Sequence, residues 1–386
     1  MTSLNARPIF LDFNATTPLD PRVFEAMKEW YLGPPANSGS RTHVYGNRAK
    51  DAVEDARTKV ANVIAAKPEE IIFTSGATES NNIAIIGLAS HGEATGRKHI
   101  LSTAIEHKAV LEPLEYLGSK GFEIELVPVG SGGFVDPDDV AKRCRQDTLL
   151  VSVMHANNET GVIQPVKEIG EQLRESDTFF HIDAAQTFGK EPDLANVDFD
   201  LLSASSHKIY GPQGIGALCA KRQGNKRVPI SSLVHGGGQE RGLRPGTVPV
   251  AIAVGFGEAS DFASTELHMR SDASRAVRNA FLLELAKIEH VINGDSSRCQ
   301  QHVVNVRFPG VDSEALMMAL RDSIAISNGS ACTSDSYEPS HVLLAMGLSE
   351  DEANESVRIS WGPRVEPITC EAFLSAVNNM SNLFGS

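Results

Sequence analysis

From Glu69 to about Arg222 the chain alternates short apolar runs, rich in β-branched residues, with longer amphipathic segments. EEIIFT precedes ESNNIAIIGLAS, and KHILSTA precedes HKAVLEPLEYLG. FEIELVPV leads to DPDDVAKRCRQ, TLLVSVMH leads to VKEIGEQLRES, and TFFHID, FDLLSASSH and GIGALCAKR close the series. This rhythm predicts strands joined by crossover helices, hence a mainly parallel sheet with helices on both faces. Such sheets hold their ligands beyond the carboxyl ends of the strands, so chemistry is expected just after the apolar runs. From about Val250 helical patterns dominate, followed by HVVNVRF, DSEALMMALRD, EPSHVLLAMG, SVRISWG and a final helix, CEAFLSAVNNMSNLF. The tail reads as a smaller α+β domain, and the opening FLDFNATTPLDPRVFEAMKEWYL is expected to return and pack with it. No low-complexity linker or internal repeat interrupts the pattern.

With 386 residues, 41% of them hydrophobic, the chain can bury a large core in two domains. A formal net charge of −14 and the lack of long Lys/Arg clusters argue against nucleic-acid binding. MTSLNARPIF lacks a charged-then-apolar signal, and no apolar stretch reaches membrane-spanning length. A cytoplasmic protein with no membrane association is expected. Five cysteines without a C-x-x-C pair argue against a disulfide framework or zinc knuckle and leave room for one reactive thiol. Cys332 is the candidate, because ISNGSACTSDS surrounds it with small polar residues rather than a core. Such a loop can carry a nucleophile, a metal ligand or nothing of consequence.

The residues after the strands are more telling. TSGATES, opening a helix after EEIIF, is a natural anion site, although an ordinary N-cap has the same composition. No G-x-x-x-x-G-K-[ST] or G-x-G-x-x-G turn accompanies it, which weakens nucleotide readings. Asp183 ends a strand with Gln186 just beyond, and Lys208 follows another strand among Ser205, Ser206, His207 and Gly211. A lysine so placed is a candidate Schiff-base amine. HGGGQERGLRPGT ends at Thr247; it has the look of an esterase oxyanion loop, but no G-x-S-x-G elbow exists. A phosphate site, a pocket amine and a carboxylate for a pyridinium nitrogen together match the needs of pyridoxal 5'-phosphate.

At this point the chain resembles, nearly end to end, the cysteine desulfurases of the NifS/IscS type. The motifs are LDFNATTPLDPRV, NSGSRTH, FTSGATESNN, EHKAVLEPLEYL, HANNETGVIQPV, HIDAAQTFGK, SSHKIYGPQGIGAL, GGGQERGLRPGT, SNGSACTSDSYEPSHVL and VRISWG. The resemblance implies the aspartate-aminotransferase fold of pyridoxal-phosphate enzymes, an α/β fold. Its large cofactor-binding domain would span residues 18–260. Residues 1–17 and 261–386 would form the small domain with the cysteine loop. By position it implies that Lys208 holds the cofactor and moves protons, and that Asp183 pairs with the pyridinium nitrogen. Gln186 and Asn158 would bond the ring's phenolic oxygen, and His107 would stack on the ring. Ala77, Thr78, Ser205 and His207 would cradle the phosphate, with Thr247 supplied by the neighbouring subunit of a homodimer. Arg358 would grip the substrate carboxylate, aided by Asn37. No metal is implied.

Cys332 would be the nucleophile that takes sulfur from L-cysteine, leaving L-alanine and a persulfide for an acceptor protein. Iron–sulfur cluster assembly, tRNA thiolation and DNA phosphorothioation are outlets of such enzymes, and the ending at NLFGS, short of the docking segment of many IscS-type enzymes, points away from the first. Cys144, Cys299 and Cys370 match no family position, and Cys219 ends a strand and is expected to be buried. Glu79 and Asn81 are read as capping or solvated groups. Asn37 is followed by Ser38 where the family has proline, and Asn328 replaces a frequent serine. Selenocysteine lyase on the same scaffold is the alternative activity. An aminotransferase has no use for the Cys332 loop, and a non-catalytic docking protein has no use for an intact Lys208, Asp183 and Cys332.

Overall fold

The computed structural model describes residues 8–223, 226–329, 338–363, 365, 373 and 376–379. Its strands are β1 (Ile9–Phe10), β2 (Ile71–Thr74), β3 (His99–Thr103), β4 (Glu123–Val127), β5 (Thr148–Met154), β6 (Phe179–Asp183) and β7 (Leu201–Ser205). There follow β8 (Gly216–Ala220), β9 (Arg222–Gln223), β10 (Lys226–Arg227), β11 (Val291–Ile292), β12 (Val303–Arg307), β13 (Ile324–Ala325) and β14 (Ser356–Ser360). The helices α1 (Pro21–Leu32), α2 (Val44–Val63), α3 (Ala77–Ile86), α4 (Ala89–Thr95), α5 (Lys108–Ser119), α6 (Pro137–Arg143) and α7 (Val166–Leu173) come first. The later ones are α8 (Val250–Thr265), α9 (Leu267–Leu285), α10 (Ser313–Leu320), α11 (His341–Ala345) and α12 (Glu350–Asn354).

Seven strands form the main sheet in the order β2-β8-β7-β6-β5-β3-β4. The pairs β4–β3, β3–β5, β5–β6 and β6–β7 are parallel, as the alternation of strand and helix requires. β8 runs antiparallel to both β7 and β2, because residues 206–215 hold no crossover helix. Alternate residues of one strand feed opposite faces. Ile71 and Phe73 join a cluster with Val53, Val60 and Phe256, while Ile72 joins Ile83, Val110 and Leu114. Burial on both faces explains why these strands read as continuous apolar runs.

A third cluster gathers Leu11, Phe281, Val304, Val306, Phe308, Ile324, Val357, Ile359 and Trp361. It lines the antiparallel sheet β11-β12-β14 and the small parallel pair β1–β13. The opening segment divides between the clusters. Its strand pairs with β13, but α1 sends Val23 and Met27 into the core beneath the main sheet. The final helix lies largely outside the described residues, although Phe373 and Val377 pack into the third cluster.

Candidate active site

Each strand end of the sheet delivers one element. After β2 the chain turns at Gly76, whose φ of +157° belongs to glycine, and enters α3 with no side-chain cap on its first N–H groups. Those donors are left for an anion. Ala77 is half-buried and Thr78 exposed at this end, and Ser205 at the end of β7 is buried beside them. A Cβ on Gly216 would stand 2.7 Å from the Gly76 Cα, so only glycine allows this close approach. Asp183 ends β6; it accepts from Asn81 Nδ2 at 2.8 Å and from the Ala185 N–H at 2.9 Å. Asn81 is fully buried on the inner face of α3, which corrects its reading as a capping or solvated group. Glu79 is a cap, accepting from the Ser75 N–H and from Arg244 Nε at 3.1 Å.

Lys208 closes the short helical turn after β7, and its Nζ donates to the carbonyls of Asn14 and Ala15, the latter at 2.9 Å. Gln186 Nε2 reaches the same Asn14 carbonyl at 3.0 Å. Lys208, Gln186, Asn158, His107 and Arg358 all line one cavity of about 410 Å³, together with Asn14. Arg358 comes from β14, is almost fully buried, and donates to the Asn158 carbonyl at 3.0 Å and to Asp12 Oδ1 at 2.6 Å. Its Nε has no partner.

His107 caps α5. Its Nδ1 accepts the Ala109 N–H at 3.0 Å, so the neutral ring carries its proton on Nε2. Burial lowers its pKa, aided by the charges of Lys208 and His341 and opposed by Asp183. Burial likewise holds His207 down at about 4, and its Nδ1 pairs with Thr16 Oγ1 at 3.1 Å. Two carboxyls that the strand-end motifs do not announce are buried here, Glu159 in the cavity wall and Glu106 next to His107. Glu106, fully buried, is pushed by desolvation up to about 8; it accepts from Thr103 Oγ1 at 2.7 Å and from the Met154 N–H at 2.9 Å. Glu159 lines the cavity, and burial raises its pKa too.

Glu159 accepts from Ser340 Oγ, and a Cβ on Gly329 would lie 2.9 Å from its Oε2. The carbonyl of Glu106 in turn meets His341 Nε2 at 2.9 Å. The segment after residues 330–337 is therefore tied to Glu159 and to the backbone of Glu106, while Gly329 before it packs closely against Glu159. Cys332 itself lies outside the described residues, as does Cys370. Thr247 is exposed ahead of α8, and Asn37 is exposed with its Oδ1 capping the Gly39 N–H at 2.8 Å. Neither is among the residues lining the cavity. Cys219 and Cys299 are buried and Cys144 half-buried, their thiols pushed up by desolvation. Among the described residues no group of His, Cys, Asp and Glu is placed to hold a metal ion.

The unmet hydrogen bonds say what the cavity is built for. Gln186 Oε1 and Asn14 Oδ1 line it without partners, and Ser206 Oγ is also unpartnered after β7. Buried polar atoms rarely stay single, so they await a ligand. An anion-ready helix end after β2, a carboxylate at the end of β6 and an amine after β7 fit a flat, phosphate-bearing cofactor held by a basic nitrogen.

The fold and site define a class that the comparisons bear out: residues 9–367 match the Aminotransferase class-V family, to which the chain belongs. Within that class the similar proteins are cysteine desulfurases. The chain is 49% identical over 359 residues to the mitochondrial cysteine desulfurase of Arthroderma benhamiae, covering 92% of this chain and 71% of that protein. It is 46% identical to the cysteine desulfurase IscS of Photorhabdus laumondii, covering 92% of this chain and 88% of that one. Among solved structures, DndA from Streptomyces lividans superposes with a TM-score of 0.81 at 46% identity, over 94% of this chain and 99% of that chain.

Proposed function

We propose that this chain is a pyridoxal 5'-phosphate-dependent cysteine desulfurase that converts L-cysteine to L-alanine and passes the sulfur to Cys332. The observation that carries it is the meeting of Lys208, Gln186, Asn158, His107 and Arg358 on one cavity, with the Asn81–Asp183 pair at the end of β6, three residues before Gln186. The free N–H groups of α3 with Thr78, Ser205 and His207 would hold the phosphate, and Thr247 of a second subunit would complete the cradle in a homodimer. Lys208 would anchor the ring, Asp183 its pyridinium nitrogen, and Gln186 and Asn158 its phenolic oxygen. The bound cofactor supplies an electron sink that acidifies the α-carbon and weakens the bond from the β-carbon to sulfur.

The protein's own groups do the rest. Arg358 offers a planar fork to the substrate carboxylate, with Asn37 assigned to the same group. Lys208 would hold the cofactor and take and return the proton at its Nζ. His107, held neutral with its proton on Nε2, would stack on the ring and assist that proton transfer. The Cys332 thiolate attacks the substrate sulfur, so a carbon–sulfur bond breaks as a sulfur–sulfur bond forms, and the products balance as alanine and an enzyme persulfide. A sulfur-acceptor protein then discharges it, in cluster assembly, tRNA thiolation or DNA phosphorothioation. We place the domains at 18–260 and at 1–17 with 261–386, and the enzyme in the cytoplasm. Among the described residues no helix is long and apolar enough to cross a membrane.

The test uses two variants. Cys332→Ala is expected to keep the yellow colour of lysine-bound cofactor yet form no persulfide, read by mass spectrometry after L-cysteine. Lys208→Ala is expected to lose that absorption. Undiminished persulfide in the first, or an unchanged spectrum in the second, rejects the assignment.

A further inference from the structure

The turn between β2 and α3 is gripped by a second piece of chain. Glu240 and Arg241, in the loop 239–246, both hold left-handed backbone, with φ of +45° and +59°. Residues other than glycine keep such angles only where their surroundings hold them there. Here β2 does so. Glu240 accepts the Phe73 N–H at 2.7 Å and a two-pronged pair from Arg57, each prong at 2.7 Å, and both side chains are buried. Arg241 Nη1 donates to the Ile71 carbonyl at 2.7 Å. The loop is thus fixed to the strand that runs into the turn, and it brings Arg244 to Glu79, Nε to Oε1 at 3.1 Å.

Glu79 is the one acid in the first turn of α3. An acid there favours the helix, but its charge repels a phosphate bound at the same end. Burial would raise its pKa, yet the Ser75 N–H and Arg244 bring it below its ordinary value, so it is ionised at neutral pH. One of its oxygens meets Arg244 and the other accepts the Ser75 N–H, one residue ahead of Gly76. The carboxylate therefore leaves the N–H groups of Ala77 and Thr78 open, as the start of a helix provides them. Ser205 Oγ stands across the turn, 3.9 Å from the Cβ position of Gly76.

We propose that Arg244 is a positioning residue for the phosphate of the cofactor. By pairing with Glu79 it cancels the one negative charge that the start of α3 would set against that phosphate, and it holds the carboxylate on Ser75. The inference rests on reading the start of α3 as the phosphate site.

The test compares pyridoxal 5'-phosphate with pyridoxal, which condenses with the same lysine and carries no phosphate. Full-length protein stripped of cofactor is titrated with each, and binding is read from protein fluorescence and from the absorption of the lysine-bound ring. Arg244→Gln should weaken pyridoxal 5'-phosphate roughly tenfold, the scale of one unit charge near a dianion at a protein surface, and leave pyridoxal within about twofold. Adding Glu79→Gln should recover most of that loss, because the charge that Arg244 offset is gone. Equal losses for the two ligands would make Arg244 a structural brace, and no recovery in the double variant would make it a direct phosphate ligand; either result overturns the proposal. Should Arg244→Gln fail to fold, Glu79→Gln alone decides: tighter pyridoxal 5'-phosphate with unchanged pyridoxal supports the pairing, and weaker pyridoxal 5'-phosphate overturns it. Wild-type protein that binds pyridoxal 5'-phosphate no better than pyridoxal rejects the phosphate site itself, and the proposal with it.

Discussion

The floor and the far wall of the cavity are made differently. Asp183, Gln186 and Lys208 follow β6 and β7, which pair directly, so the sheet register itself sets their spacing. Arg358, Glu159 and His341 come from β14, the turn after β5 and the start of α11, and side-chain bonds hold them together. Arg358 is moored to Asp12 and the Asn158 carbonyl, Ser340 to Glu159, and His341 to the Glu106 carbonyl. A floor drawn from adjacent strands of one sheet suits a cofactor that stays, and a wall assembled from three separate elements, linked to the floor's surroundings through side-chain bonds, suits steps in which substrate and sulfur come and go. Mutations of the wall should therefore separate substrate handling from cofactor retention, and mutations of the floor should not.

The largest effect is expected from Arg358→Lys, which keeps the charge and loses the fork. A charge-assisted hydrogen bond is worth about 1.5–3 kcal/mol, so kcat/KM for L-cysteine should fall roughly ten- to hundredfold, mainly through KM. The cofactor spectrum should not change, and a bleached enzyme would break the distinction between floor and wall. Glu159→Ala frees Ser340, just after residues 330–337, and removes the side chain packed against Gly329 just before them. Persulfide formation in a single turnover should drop roughly tenfold while L-cysteine still perturbs the spectrum as in the wild type. Glu159→Gln, which copies the neutral acid, should restore most of the rate, and equal losses in binding and sulfur transfer would end the argument.

Asn81→Ala probes the floor from beneath. It removes one hydrogen bond from a buried carboxylate, about 1–3 kcal/mol, so the cofactor should dissociate several-fold faster while KM for L-cysteine holds. The last effect concerns stability against pH rather than catalysis. Burial raises the Glu106 carboxyl from 4.5 to about 8, so its protonated form is favoured by the fold. That contribution is whole below about pH 4.5 and is lost as pH rises through about 8. Glu106→Gln should flatten this decline, with its Tm gaining on the wild type between those limits. A constant Tm difference would show that Glu106 does not titrate there.

The floor was legible in the sequence because strand-end motifs sit next to the apolar runs that place them. Lys208, Asp183, Gln186 and the opening of α3 all follow such runs. Arg358 was reached through the VRISWG motif alone, since no local pattern brings β14 to the end of β5. Asn81 was undervalued because a polar residue on an amphipathic helix ordinarily faces water, and only the packing of α3 on β6 turns it to Asp183. Glu106 and Glu159 escaped for the same reason, as burial of a carboxyl is a tertiary fact. One signal was available for Glu159: it directly follows Asn158 inside HANNETG. The antiparallel course of β8 was also readable, since no helical pattern separates FDLLSASSH from GIGALCAKR. The split of the opening segment was not, because an apolar helix face does not say which core it will join.

The first strand carries a consequence for how the molecule is made. Leu11 bonds the Ala325 carbonyl and Ser360 bonds the Leu11 carbonyl, while the next turn of chain supplies the carbonyls that steady Lys208. During synthesis the partners of this strand emerge more than three hundred residues later. The main sheet can condense as the ribosome works, but Lys208 is not steadied until β13 and β14 have been made. The order of synthesis thereby delays the assembly of this side of the cavity until the second sheet exists.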